Sequence, residues 1–168
     1  RIRGSSMRVA IDAVAAGEAA GVVSAGNTGA LMALAKIVVK TLPEIDRPAL
    51  AAIGPSARGD VVLLDLGANV QCDARNLVEF AVMGDAFARA VLGLTSPSIG
   101  LLNVGSEELK GDERVRQAAE TLRDSHLGNG FRGFVEGHDI AAGTVDVIVT
   151  DGFTGNVALK TGEGALRL

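Results

Sequence analysis

Short apolar runs along the chain each end in a polar turn that contains glycine. These turns span residues 24–29, 65–69, 103–107, 136–139 and 151–156. Longer amphipathic segments separate most of the runs, and this alternation predicts βαβ units with a mostly parallel sheet, an α/β fold. The carboxyl ends of parallel strands share one edge, which is where open α/β sheets bind ligands. We therefore expect a polar crevice at that edge, where glycine and free helix amides favour phosphate.

The same periodicity places the individual elements. It predicts helices over 7–16, 28–41, 73–92 and 112–123, and a last helix that opens at Thr154. It predicts strands over 21–24, 48–53, 60–66, 98–104, 131–135 and 145–150. Thr28 is the expected N-cap of the second helix. A turn at 54–59, rich in glycine and proline, favours antiparallel pairing of the strands on either side.

Composition narrows the class of function. The 168 residues are 48% hydrophobic, enough for one folded α/β domain over 1–168. Aromatic residues make up 3%, without Trp or Tyr, and the net charge is -4. Both features argue against nucleic-acid binding, which relies on base stacking and basic surfaces. No apolar run reaches the roughly 18 residues of a membrane-spanning helix, which leaves peripheral membrane contact open.

Cysteine content and the chain ends add two expectations. Cys72 is the single cysteine, which excludes an internal disulfide and makes the cytoplasm the default location. For Cys72 itself a buried packing role is favoured over a nucleophilic one, because no histidine lies nearby in the sequence. The sequence starts without Met and stops inside a helical pattern, 157–168, so we expect an internal fragment of a longer chain.

Three loops carry most of the candidate chemistry. Residues 24–29 combine two glycines with a carboxamide and a hydroxyl, which suits phosphate; the alternative is an ordinary turn. Asp65 is either a general base or an acceptor for loop amides, with the structural role favoured. Residues 151–156 place an acid, a hydroxyl and an amide ahead of Lys160, and here a functional role is favoured.

Two further clusters keep their alternatives open. Glu107, Glu108 and Lys110 form either a solvated loop or part of a site in which Lys110 neutralises an anionic substrate. Ser5 and Ser6 follow an arginine before a helix, so they either help to hold phosphate or cap that helix.

The order of the motifs carries a family resemblance. The motifs are an abbreviated Arg-x-x-Ser-Ser-Met at 3–7, Ser-Ala-Gly-Asn-Thr-Gly-Ala-Leu-Met at 24–32, Arg-Pro-Ala-Leu at 47–50, Asp-Leu-Gly-Ala-Asn-Val at 65–70, Leu-Leu-Asn-Val-Gly at 101–105, Lys-Gly at 110–111, Phe-Val-Glu-Gly at 134–137 and Thr-Asp-Gly-Phe-Thr-Gly-Asn-Val-Ala-Leu-Lys-Thr at 150–161. Together, across nearly the whole chain, they closely resemble the bacterial phosphate acyltransferase family PlsX.

The resemblance implies a reaction and a setting. It implies transfer of a long-chain acyl group from acyl carrier protein to inorganic phosphate, giving an acyl phosphate for glycerophospholipid synthesis. It implies a homodimer with a three-layer α/β/α fold, similar to phosphotransacetylases or to isocitrate and isopropylmalate dehydrogenases. It also implies a cytoplasmic protein in peripheral contact with the membrane, with a downstream glycerol-3-phosphate acyltransferase as partner. No metal or other cofactor is expected.

The chain departs from the family pattern in places. The family's opening Asp-Ala-Met-Gly-Gly-Asp loop has no counterpart, and its final membrane-contacting hairpin is mostly absent. Ser106 stands where the family commonly has Glu, and Gln71 where it often has Asp. Glu107 and Glu108 are the carboxylates that remain beside Ser106.

The implied mechanism needs no protein nucleophile, because phosphate itself attacks the thioester while the protein orients it and stabilises the oxyanion. The candidate catalytic residues are Asn27, Asp65, Asn69, Asp151 and Lys160. The candidate phosphate- or substrate-binding residues are Ser5, Ser6, Gly26, Thr28, Gly29, Glu107, Lys110, Gly152, Thr154, Gly155 and Asn156. The rival functions are a short-chain phosphotransacetylase that uses coenzyme A, a nicotinamide-dependent dehydrogenase and an inactive fragment. The missing dinucleotide fingerprint counts against the dehydrogenase.

Overall fold

The computed structural model describes residues 4–165 and 167. They divide into two compact units that meet in the sequence between Pro48 and Ala49. We refer to the residues up to Pro48 as unit 1 and to those from Ala49 onward as unit 2.

Unit 1 is built on two helices. Helix α1 runs from Ser6 to Ala15, and helix α2 runs from Thr28 to Val38. Ile11 of α1 and Leu34 of α2 are the buried residues of these helices. Both helices lie close to their predicted positions.

Two predictions in unit 1 are wrong. The expected strand over 21–24 is absent, and the Val23 side chain is fully exposed. β-branched residues favour strands, but a strand also needs a hydrogen-bonded neighbour, and no described strand pairs with this segment. The N-cap of α2 is Asn27, whose Oδ1 accepts a 3.0 Å hydrogen bond from the Ala30 amide, so Thr28 is already helical.

Unit 2 is a sheet with helices around it. Its strands are β1 (Ala51–Ser56), β2 (Gly59–Leu64), β3 (Ile99–Leu102), β4 (Phe131–Val135) and β5 (Val147–Val149). Its helices are α3 (Ala74–Leu92), α4 (Glu113–Arg123), α5 (Gly137–Ala142) and α6 (Gly152–Ala165). Among the described residues the strand order is β1-β2-β5-β3-β4; β1 is antiparallel to β2, and every other pair is parallel. The predicted α/β class with a mostly parallel sheet is confirmed.

Helices cover both faces of this sheet. Alternate strand residues point to opposite faces, so neighbouring residues of one strand pack against different helices. Val62 packs with Phe80 of α3 and Leu122 of α4 in the larger hydrophobic cluster. Its neighbour Val61 belongs to a second cluster, against which Ile140 of α5 packs. The result is a three-layer α/β/α arrangement, as the resemblance implied.

Three local predictions in unit 2 need correction. Gly54 and Pro55, expected in a turn, belong to β1, and the register pairs Ser56 with Gly59 around a two-residue turn. Pro55 is tolerated because β1 is an edge strand, where a missing N–H costs no ladder bond. Helix α5 was expected to be a turn, and α6 begins at Gly152 instead of at Thr154.

Candidate active site

The polar loops of unit 2 gather at one edge of the sheet. Strands β2, β5, β3 and β4 are parallel neighbours in that order. Their carboxyl ends therefore bring together, side by side, the loops that begin at Asp65, Asp151, Asn103 and Glu136. The convergence expected from the sequence is confirmed for these loops.

A cavity of about 260 Å³ opens at this edge, outside the carboxyl ends of the central strands β3 and β5. Its polar lining residues are Asn103, Asp112, Thr150, Asp151 and Thr154. Leu77 and Leu101 are among the apolar residues of its wall. Open α/β sheets bind their ligands in this position, so the cavity is the strongest candidate for an active site in unit 2.

Asp65 organises the loop that follows β2. Its side chain is fully buried. It accepts hydrogen bonds of 2.6 to 3.3 Å from the backbone amides of Leu50, Gly67, Ala68 and Asn69, and one of 2.9 Å from Asn69 Nδ2. Both carboxylate oxygens are engaged in this way. Of the two roles expected for Asp65, the geometry supports the acceptor for loop amides over the general base.

The first turn of α6 borders the cavity. The carboxylate of Asp151 accepts hydrogen bonds from the amide and the hydroxyl of Thr154, at 2.9 and 3.1 Å. Asp151 therefore caps the amino end of α6. Asn156 lies one turn further on and faces Gly67 of the neighbouring loop. The two candidate loops after β2 and β5 are thus in direct contact.

Two glycines of α6 make this contact possible. A Cβ atom on Gly152 would lie 2.7 Å from the carbonyl oxygen of Asn69. A Cβ atom on Gly155 would lie 1.9 Å from the carbonyl oxygen of Asp65. Both clashes are with backbone atoms, so only glycine lets the helix approach this closely. Packing alone therefore explains why glycine stands at positions 152 and 155, which were predicted to bind substrate.

The loop after β3 is held in a closed shape. Asn103 Nδ2 donates to the carbonyl oxygens of Gly105 and Lys110, at 3.1 and 3.0 Å. Gly111 has a φ of +87°, and a Cβ there would lie 2.0 Å from Asn103 Oδ1. Arg116 of α4 donates to the Gly111 carbonyl at 2.9 Å from outside the loop. Asn103 and Arg116 were not recognised from the sequence, because their partners are fixed by the fold of the loop.

Lys110 lies on this loop in an exposed ion pair. Its Nζ is 2.8 Å from Glu107 Oε1. The hydrogen bond from Lys110 lowers the pKa of Glu107, and the same bond raises the pKa of Lys110. Glu108 instead pairs with Arg123 of α4 at 3.2 Å. Neither Glu107 nor Lys110 lines the cavity. Both charges lie on the loop that borders it.

Arg114, in the first turn of α4, is a cation that sequence reasoning missed. It donates to the carbonyl oxygen of Cys72 at 2.8 Å and to the carboxylate of Asp112. The hydrogen bond to Asp112 raises the pKa of Arg114, and the charge of Asp151 adds to this effect. Arg114 therefore lies within electrostatic reach of both aspartates of the cavity. The contact with Cys72 spans 42 residues, so no local pattern could have revealed it.

Lys160 is not brought to the cavity. Its Nζ pairs with Glu163, one turn further along α6, at 2.8 Å on an exposed face of the helix. Cys72 is buried, and its Sγ is 3.4 Å from the carbonyl oxygen of Asn69. That position agrees with the packing role expected for the cysteine.

Unit 1 contains the remaining predicted residues. Ser5 is the N-cap of α1, and its hydroxyl accepts a 3.2 Å hydrogen bond from an amide of the first turn. Ser6 is the first residue of α1. A Cβ on Gly26 would lie 2.7 Å from the end of Met7, so the loop before α2 lies against the start of α1. Arg3, which precedes these serines in the motif, lies outside the described residues.

The loop before α2 is exposed from Gly26 to Gly29. Asn27 caps the helix, as described above, and the first-turn residues Thr28 and Gly29 follow. Within unit 1 the amino ends of two helices therefore adjoin, an arrangement whose free amides suit an anion.

The described residues contain neither a cluster of metal-binding side chains nor a membrane-spanning helix. Among residues 4–165 and 167, no group of three or more His, Cys, Asp or Glu side chains is placed to hold a metal ion. In the same residues, the helices are too short or too polar to cross a membrane.

Comparison of the sequence with known families and proteins gives consistent matches. The family described as "Fatty acid synthesis protein" matches residues 1–168. A phosphate acyltransferase of Acidiphilium cryptum (strain JF-5) is 79% identical over 168 residues, which are 100% of this chain and 44% of that protein. A phosphate acyltransferase of Gluconobacter oxydans (strain 621H) is 76% identical over 100% of this chain and 46% of that protein. The chain thus spans less than half the length of these relatives.

Solved structures show a similar fold. A phosphotransacetylase from Streptococcus pyogenes matches with a TM-score of 0.75 at 21% identity, over 94% of this chain and 54% of that one. The EutD phosphotransacetylase from Staphylococcus aureus matches with a TM-score of 0.66 at 16% identity, over 95% of this chain and 55% of that one. The phosphotransacetylase-like form of the fold prediction is confirmed.

Proposed function

The chain belongs to the fatty acid synthesis protein family, as its motifs indicated, and from this premise we propose that it is part of a phosphate acyltransferase. The reaction is transfer of a long-chain acyl group from acyl carrier protein to inorganic phosphate. The thioester and hydrogen phosphate give an acyl phosphate and the free thiol, whose proton comes from the hydrogen phosphate. The acyl phosphate then serves glycerophospholipid synthesis.

The observation that carries this proposal is the cavity outside β3 and β5, where hydroxyl, carboxamide and carboxylate groups meet. Because phosphate carries its own nucleophilic oxygen, the protein has only to bind it, orient it and stabilise the tetrahedral oxyanion. Thr150 supplies a hydroxyl donor, and the amino ends of α4 and α6 supply amides. Asp65 and Asn69 act by fixing the loop against which α6 rests.

An apolar rim beside the cavity supports an acyl substrate. The loops at the same edge expose Val70, Val104, Leu109 and Phe153, with Leu109 88% exposed. Exposed apolar residues that cluster around one polar cleft are typical of a binding surface. In this proposal they contact the acyl chain while the thioester enters the cavity.

The remaining parts of the proposal rest on the family. The chain is an internal part of a longer acyltransferase that acts as a homodimer in the cytoplasm, in peripheral contact with the membrane. Lys110 assists docking of the acidic carrier protein, and a glycerol-3-phosphate acyltransferase consumes the product. The exposed turn formed by Asn27, Thr28 and Gly29, with Ser5 and Ser6, provides further phosphate or oxyanion contacts.

One alternative is favoured by a specific observation. The structural neighbours are phosphotransacetylases, and their fold is shared over most of this chain. In that case the substrate would be a short-chain acyl thioester of coenzyme A instead of a long-chain acyl thioester of acyl carrier protein. Fold similarity at this identity does not identify the substrate, and the relatives named phosphate acyltransferase favour the first reading.

The experiment that tests the proposal measures phosphate-dependent thiol release from long-chain acyl-[acyl carrier protein], with hydroxylamine to trap the acyl phosphate. It uses this chain and, in parallel, the chain extended at both ends to the length of its relatives. Release with hydroxamate from the extended protein supports the acyltransferase, and faster release from short-chain acyl-coenzyme A supports the alternative. Release from neither thioester rejects both.

A pair of variants tests the site in the same assay. We expect Thr154→Ala with Asn156→Ala to raise the KM for phosphate at least about tenfold, because each removes a polar group at the start of α6. Thr161→Ala, on an exposed part of the same helix, is the control and should leave the KM unchanged. Equal KM values for the two proteins would remove this turn from the phosphate site.

A further inference from the structure

The cavity has an unusual charge for an anion site. Two of its lining residues, Asp112 and Asp151, carry carboxyl groups, and none of its described lining residues is Lys, Arg or His. Arg114, which pairs with Asp112, offsets part of this negative charge from outside the lining. A fully deprotonated anion would meet acceptors where it needs donors.

The carboxylate of Asp151 is fixed in place but not saturated. Each of its oxygens accepts one hydrogen bond from Thr154. A carboxylate oxygen can accept two, so a lone pair remains on each for a ligand. Asp112 is similarly fixed, by the amide of Val115 at 3.0 Å and by Arg114. Both groups act only as acceptors when ionised.

An ionised carboxylate can therefore distinguish anions of the same shape by their protons. At neutral pH inorganic phosphate keeps at least one O–H group, and arsenate does the same, whereas sulfate has none. The hydroxyl of phosphate can donate to a carboxylate in a charge-assisted hydrogen bond, while sulfate can only repel it.

We infer that Asp151 is a specificity-determining residue that binds the protonated oxygen of phosphate and so excludes sulfate from the cavity. The inference rests on the proposed function, because it requires phosphate to bind there. Asp112, which also lines the cavity, contributes to the exclusion through its charge. Thr150 and the amides at the starts of α4 and α6 donate to the unprotonated phosphate oxygens, one of which attacks the thioester.

The test compares three tetrahedral anions in the thiol-release assay, on the extended protein and on this chain. Phosphate and arsenate are added as co-substrates, and sulfate as a competing inhibitor. We expect thiol release with both co-substrates, and an inhibition constant for sulfate at least about tenfold above the KM for phosphate. A sulfate inhibition constant equal to that KM overturns the inference without touching the acyltransferase proposal.

The decisive variant is Asp151→Asn, which keeps a good helix cap while replacing one acceptor oxygen by a donor. We expect the KM for phosphate to rise and the sulfate inhibition constant to fall, so that their ratio changes at least about tenfold. Asp124→Asn removes an exposed carboxylate at the other end of α4 and should keep the ratio of the unmodified protein. An unchanged ratio in Asp151→Asn overturns the inference.

Two further outcomes are also decisive. If the unmodified protein folds but releases no thiol with phosphate, the acyltransferase proposal fails. Binding of phosphate and sulfate is then compared by calorimetry, and equal affinities, or no binding of either, reject the inference as well. If Asp151→Asn does not fold, Asp151→Ser, which also keeps a helix cap, takes its place in the same comparison, and an unchanged ratio in that variant overturns the inference.

Discussion

Asp65 is a buried carboxylate held by hydrogen bonds from backbone amides and from the Asn69 side chain. We expect Asp65→Asn to lower the free energy of unfolding by about 2–4 kcal/mol, because the amide nitrogen of Asn would face donors instead of accepting from them. Urea denaturation followed by circular dichroism measures this. Asp124→Asn, at an exposed site, should change the value by less than about 0.5 kcal/mol, and equal effects of the two would contradict the role given to Asp65.

Asn27 allows a finer test of unit 1. Its Oδ1 caps α2, and its amino group, which makes no hydrogen bond within residues 4–165, can donate to a ligand. Asn27→Asp retains the cap but loses the donor and adds a negative charge, so we expect stability to be kept and the KM for phosphate to rise about tenfold. Thermal unfolding and the thiol-release assay check the two parts separately. A KM equal to that of the unmodified protein would restrict Asn27 to capping.

At the residue scale, the sequence indicated which residues belong to the polar edge of the sheet better than it indicated what each of them does there. Asp65, Asn69 and Asp151 were recognised because polar residues after a buried strand are few and well marked. Their roles depend on which groups face them, and those groups come from other segments. Arg114 was missed for the same reason, since its contact with Cys72 exists only in the folded chain.

At the scale of elements, α6 combines two glycines that packing requires, Gly152 and Gly155, with others that it does not require. We expect Gly155→Ala to lower the free energy of unfolding by at least about 2 kcal/mol, because its Cβ would overlap the Asp65 carbonyl oxygen. A Cβ on Gly162 of the same helix would meet nothing within 4 Å, so Gly162→Ala should raise stability by up to about 1 kcal/mol. Denaturant midpoints compare the two, and effects of the same sign would contradict the packing described for α6.

The start of α4 gives a prediction about pH. Arg114, through its hydrogen bond, lowers the pKa of Asp112 below the ordinary value. A carboxyl group whose folded pKa is depressed stabilises the protein above its unfolded pKa and loses that contribution as the pH falls through the folded pKa, here below about pH 4. We expect Arg114→Gln to raise the pKa of Asp112 in an NMR titration. An unchanged value would mean that the helix amides alone hold it down.

The elements themselves were predicted unevenly, for a physical reason. The prediction for β4 matches the observed residues, because a compact β-rich run lies between clear turns. The predicted strand over 21–24 is also rich in β-branched residues, but none of the described strands pairs with it, and pairing is not a local property. Helix α5 is too short to show helical periodicity and opens at Gly137, so its pattern is that of a turn.

At the scale of the whole molecule, the hydrophobic clusters of the described residues are built from Ala49 onward. We therefore expect a polypeptide of residues 49–168 to fold on its own, with one cooperative unfolding transition. Hydrogen exchange should be slowest in β2, β5 and β3, the strands with neighbours on both sides. A polypeptide with no cooperative transition, or with β1 as its most protected strand, would contradict this view of unit 2.

The proline in β1 also bears on self-association. In the two-residue hairpin that joins β1 to β2, Ser56 pairs with Gly59. Hydrogen-bonded and non-hydrogen-bonded pairs alternate along an antiparallel ladder, so the backbone nitrogen of Pro55 points away from β2, toward the outer edge of the sheet. Another strand that approached this edge of unit 2 would find no donor there and could not form an unbroken ladder. A sheet edge interrupted in this way resists the strand-to-strand stacking through which partly folded chains aggregate.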